Sequence, residues 1–243
     1  MKGRIIRPAA EQNRLVLPRV GNIKIGYKDA KGYPRSVDYF IPAGKYAALF
    51  TAAYGEKPQT IQIVFPSDDA EQVCCERYEY RDNEGRLLAT GDGETFKCWN
   101  GKEYQELKIS DYPNLMQDIE RRYPNTQYQR TGEGWNIILT LNFIIPCVRG
   151  VAGVWQYSTK GTASTIPNIR DTFDAILASN GFVKGIIFDL NVQFAKSQKP
   201  GDKSRYPVVS IIPNESEANI SKINAAKQPV KMLTEKNTKN IQN

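Results

Sequence analysis

The chain has 243 residues, 40% of them hydrophobic and 24% charged, a composition that supports a globular core with no need of disulfides. Histidine is absent, which excludes His-dependent catalysis and weakens any reading as a metal centre. The net charge of +7 is unevenly placed: residues 1–35 carry nine Lys/Arg against two acids and residues 195–243 nine against four, so the body between them is net acidic.

Basic ends suit a phosphate backbone or an acidic partner, and equally suit plain solubility. No stretch reaches the roughly eighteen apolar residues of a membrane span, and the opening MKGRIIRPAAEQNR has no signal-type apolar segment. The expectation is a cytoplasmic protein with no membrane contact. Residues 1–19 read as a basic leader.

Residues 22–27 (NIKIGY) alternate as a short strand, and after a turn at Gly32 a second strand is expected through Val37, Tyr39 and Ile41. Alanine-rich residues 43–53 predict a short helix stopped by Gly55. Residues 60–65 (TIQIVF) place Ile61, Ile63 and Phe65 on one face of a strand that Pro66 ends. The adjacent Asp68 and Asp69 then read as turn or cap residues, because a metal or acid–base role needs convergent partners that the neighbouring sequence lacks.

Residues 73–80 and 86–89 flank a hairpin turn at 82–85, and the GDG at 91–93 is a tight loop without the lysine and hydroxyl of a phosphate loop. Of the four cysteines, adjacent Cys74 and Cys75 point to opposite sides of a strand and make poor joint metal ligands; buried free thiols are expected for these, Cys98 and Cys147. A short helix with the stripe Leu115, Met116 and Ile119 is predicted over 111–123. A core strand follows with Trp135, Ile137, Leu139, Leu141 and Phe143 on one face. Residues 153–158 suggest another strand.

The clearest helix carries Ile166, Ile169, Phe173, Ile176 and Leu177, with Thr165 or Asn168 as alternative caps and Asn180-Gly181 as the stop. Ile186, Phe188, Leu190, Val192 and Phe194 then line one face of a long strand, and residues 205–212 return antiparallel to it, with Pro207 marking an edge. Residues 214–243 lose apolar periodicity and read as a flexible basic tail. These joins predict an α+β fold, mostly antiparallel sheet with two or three short helices packed on it. The expected organisation is one domain over 20–213 with a helical insert over 96–133.

Several stretches together resemble one known group: GNIKIGY, YPRSVDYFI, YGEKPQTIQIVFPSDDAEQV, the GDGET turn, and LNFIIPCVRGVAGVWQYSTKGTASTIPNI running on into FVKGIIFDLNVQF. The group is the gene 3-like recombination directionality factors of phages and mobile elements, which partner large serine integrases. The resemblance spans roughly residues 20–212. It implies a protein that binds an integrase on its attachment sites, favours excision between attL and attR, and performs no chemistry on DNA itself. The resemblance implies a protein that needs no catalytic residue of its own; no cofactor and no bound metal are expected, because the residues here offer no ligand set.

By the same resemblance, partner contacts are expected at Tyr54, Gly55, Lys57, Pro58, Pro66 and Asp69, and at Trp155, Tyr157 and Lys160 in the WQYSTKGTAST stretch. Arg4, Arg7, Arg14 and Arg19 are candidates for weak DNA contact within the complex. One departure stands out: family members carry a cysteine cluster between the GDG turn and the core strand, whereas residues 96–145 here hold only Cys98. The competing reading is a phage or mobile-element structural or replication-accessory protein with weak nonspecific DNA contact. Catalysis finds no constellation, since Asp38, Asp68 and Asp92 are separated by predicted strands.

Overall fold

A computed structural model of the chain describes residues 17–124, 134–197, 200–216 and 219. Strands β1 (Arg19–Lys28) and β2 (Pro34–Ala43) form a hairpin, followed by helix α1 (Ala47–Tyr54), β3 (Thr60–Val64) and the one-turn α2 (Ala70–Val73). A meander of β4 (Cys74–Arg81), β5 (Leu87–Gly91), β6 (Thr95–Trp99) and β7 (Tyr104–Lys108) leads to α3 (Leu115–Arg122). The chain continues through β8 (Trp135–Phe143), β9 (Val154–Thr159), α4 (Thr165–Asn180), β10 (Ile187–Lys196) and β11 (Arg205–Pro213).

Eight strands pair in the order β2-β1-β9-β8-β4-β5-β6-β7, and three more in the order β11-β10-β3. Among the described residues all pairs are antiparallel except β1 with β9. The α+β architecture expected from the sequence is therefore the observed one, with one more helix than expected, the single turn α2.

The two sheets share a core because the alternating faces of their strands are apolar. Ile61, Ile63, Phe188 and Leu190 of the small sheet are fully buried, as are Leu139, Leu141 and Phe143 of the large one. Helix α4 closes this core with Ile166, Ile169 and Phe173, whose ring meets Phe65 edge-on at 5.2 Å. Each such side chain contributes about 1.5–3 kcal/mol through burial. A left-handed Gly181 ends α4 and returns its amide to Leu177 O at 2.8 Å.

A second, smaller core lies at the far end of the large sheet, where Tyr80, Leu88, Phe96 and Cys98 pack against Leu115 and Ile119 of α3. This corrects the expected helical insert over 96–133: its first part is β6 and β7, which extend the sheet, and only α3 is helical. Residues 125–133 lie outside the described residues. Cys98 sits in this core at 6% exposure, and burial pushes its thiol pKa up to about 11.

Other details differ from expectation. Phe40, not Val37, Tyr39 or Ile41, is the fully buried residue of β2; those three are half-buried. Neither proposed cap serves α4: Ser164 holds the cap position without a side-chain bond, and the Thr165 hydroxyl instead accepts from Val209 N at 3.1 Å. Cys74 and Cys98 are buried as expected, but Cys75 is half-buried and Cys147 is exposed.

Arg4, Arg7 and Arg14 of the leader and most of the 214–243 stretch lie outside the described residues. Where that stretch is described, it is fastened down. Asn219 is 1% exposed, its amide donates to Ile187 O and Asn214 O at 2.7 Å each, and its Oδ1 accepts from Ile187 N.

Candidate partner-binding surface

The stretch from α1 to α2 forms a braced corner, and each brace follows from a residue type. Tyr54, the last residue of α1, sets its hydroxyl against the edge strand β3, accepting from Gln62 N at 3.1 Å and facing Gln62 O at 3.4 Å. One phenol thereby satisfies an amide that an edge strand otherwise leaves open. Burial, reinforced by the Cys147 thiol, raises the pKa of that hydroxyl well above its ordinary value.

Gly55 follows with φ +81°, a conformation that side chains rarely adopt, and turns the chain away from the helix. The Lys57 ammonium lies 5.7 Å from the centre of the Tyr39 ring, within cation–π reach. Pro58 is buried, and its carbonyl accepts from Phe40 N at 2.8 Å. The YGEKP stretch is thus tied to β2 on one side and to β3 on the other.

At the other end of β3, Pro66 terminates pairing and the two aspartates divide the work. Asp68 Oδ1 accepts from Val183 N and Lys184 N, both at 2.7 Å, and so clamps the loop after α4. Asp69 caps α2, accepting from Glu71 N at 3.0 Å and from Gln72 Nε2 at 2.6 Å. Asp69 is the cap that the sequence suggested, whereas Asp68 reaches out of its own turn to a distant loop. Asp38 meets Gln59 Nε2 and Asp92 holds its own turn, so the three separated aspartates do not converge. Among the described residues no group of three or more Cys, Asp or Glu side chains is placed to hold a metal ion.

The second expected contact stretch is built differently. β9 is a central strand between β1 and β8, and its alternation turns Trp155 and Tyr157 into the core at 1% exposure each. The Trp155 ring lies over Gly21, where an added Cβ would fall 2.5 Å from Cζ3, and 5.8 Å from the Phe50 ring. Their side chains are framework, which corrects the expectation that they meet a partner. Lys160, just past the strand, is exposed. Arg19 is exposed on β1 and donates to Gln156 Oε1 at 2.8 Å.

One feature of this corner escapes sequence reasoning. Helix α1 has no charged residue and buries Phe50, but Ala48, Leu49, Ala52 and Ala53 are exposed, Leu49 by 46%. Positions 48, 49, 52 and 53 share one side of the helix, so a small apolar face stands beside the braced YGEKP turn. The scarcity of polar residues in AALFTAAY was the available signal, since Thr51 turns its hydroxyl back to Ala47 O and leaves no polar side chain on the outer face.

A family model for Gp3-like, recombination directionality factor-like proteins matches residues 20–214. The chain belongs to that family. No curated protein and no solved structure matches it. The region shared with the Gp3-like family begins within β1 and ends one residue beyond β11, so it takes in both sheets, both cores and the braced corner.

Proposed function

We propose that this Gp3-like protein is a recombination directionality factor that binds a large serine integrase and shifts it toward excision between attL and attR. The observation that carries this reading is the family match over residues 20–214. Partner contact falls on the α1–α2 corner: the apolar face of Leu49, Ala52 and Ala53, the turn at Gly55, Lys57 and Pro58, and the bend at Pro66 and Asp69. Tyr54, Pro58 and Asp69 act there as braces.

A surface fixed before binding loses little further conformational entropy on association, which favours affinity from a small contact area. The protein performs no bond-making step; it redirects the enzyme that does. Excision and integration assays with purified cognate integrase test the reading. Added protein is expected to stimulate attL × attR recombination and to depress attP × attB recombination, and no change in either direction would sink it.

A further inference from the structure

The charge of the described body is concentrated where the two hairpins meet. Residues 19–36 hold Arg19, Lys24, Lys28, Lys31 and Arg35 against the single acid Asp29. That carboxylate is already engaged: it accepts from Lys31 N, Tyr33 N and Arg35 Nε, all within 3.0 Å, and so holds the turn. Lys24 and Lys28 have no carboxylate at ion-pair distance among the described residues.

Between β1, β2 and the start of β11 runs an open groove of about 480 Å³, lined in part by Lys24, Tyr27, Lys28, Pro34, Arg35 and Pro207. Aromatic rings stand beside these charges. Tyr27 is 51% exposed, and Tyr33 and Tyr206, which immediately precede the two lining prolines, are 61% and 38% exposed. Of these three rings, Tyr27 lines the groove itself.

An exposed ring beside Lys24 and Lys28, which no carboxylate among the described residues pairs, matches what a single nucleic-acid strand offers. Its phosphates suit the lysines, and its unstacked bases suit the tyrosine faces. A duplex presents phosphates alone, because its bases are already stacked, and an acidic peptide gives the rings nothing to stack on. We propose that this groove binds a short stretch of single-stranded DNA, with Lys24, Lys28 and Arg35 on the phosphates and Tyr27 under a base. The site lies on the β1–β2 hairpin and does not depend on the integrase reading, because the isolated protein displays it.

The test is fluorescence anisotropy of the full-length protein with a labelled oligothymidylate of about 20 nucleotides and with a duplex of equal length, between roughly 50 and 200 mM salt. The wild type is expected to prefer the single strand. Lys24→Gln with Lys28→Gln should weaken it about tenfold and lower the slope of log K against log salt by roughly 1.4, twice the single-strand increment per phosphate. Tyr27→Ala should weaken the single strand about tenfold and leave the duplex unchanged, and Tyr27→Phe should restore binding, which separates stacking from loss of fold. Equal affinity for duplex and single strand, or unchanged binding by the double-lysine variant, would overturn the proposal. Displacement by polyglutamate as efficient as by oligothymidylate would assign the groove to an acidic protein segment and would overturn it as well.

Discussion

At the scale of single residues, the corner between α1 and α2 is held by side chains that satisfy backbone groups. Asp68 is the clearest case, since one carboxylate oxygen takes two amides at 2.7 Å from a loop 115 residues away in sequence. Asp68→Ala is expected to lower unfolding free energy by about 2 kcal/mol, and Asp68→Asn, which keeps an acceptor, by less; urea denaturation measures both. Tyr54→Phe leaves the ring in place and removes the hydroxyl with its bonds to Gln62 and its contact with the Cys147 thiol, so its cost should be near 1 kcal/mol in the same experiment. The pH response is carried by other aspartates. The Asp92 carboxyl is held below its ordinary pKa by the amides of Thr95 and Glu94. Because the folded value is the lower one, its contribution is present above the unfolded aspartate pKa and is lost as pH falls through the folded value. Melting temperatures of wild type and Asp92→Asn should therefore differ at neutral pH and converge in acid.

At the scale of elements, the second core makes β6 and α3 interdependent, because Phe96 packs edge-on against Trp135 at 5.4 Å and lies in one cluster with Leu115 and Ile119. Phe96→Ala should cost about 3–5 kcal/mol, read by denaturant unfolding, with amide exchange rising first in β5, β6 and α3. How much of this was legible in the sequence depended on contrast between neighbouring residues. Ile61 and Ile63 flank polar Gln62, and Phe188, Leu190 and Val192 alternate with Asp189 and Asn191; all of these apolar residues, and Phe65, are buried as expected. In β2 the run YFIP has no such contrast, so the choice of Phe40 over its neighbours was set by tertiary packing. β7 (YQELK) is the sheet edge and offers only Leu107 to the second core, so it leaves little periodic signal. The strand at 153–158 was legible, but its parallel pairing with β1 joins segments more than a hundred residues apart, so its central place, which buries Trp155 and Tyr157, was not. The α1 corner was legible in its turn and cap residues. Its apolar outer face was not, since nothing in AALFTAAY says which alanines face out.

At the scale of the whole molecule, a body of two sheets presents its braced corner and its basic hairpin groove at different places on the chain. We propose the first as the integrase contact and the second as a single-strand site. Leu49 is 46% exposed and lies outside the buried core cluster, so Leu49→Lys should leave the melting temperature within a few degrees of wild type while placing a charge in the proposed interface. The most direct measurement is the rate of attL × attR recombination by the purified cognate serine integrase, titrated with wild-type protein and with Leu49→Lys. Strong stimulation by the wild type and little by the folded variant is the expected result. A wild type without effect, or a variant as active as wild type, would contradict the assignment of this corner to the integrase.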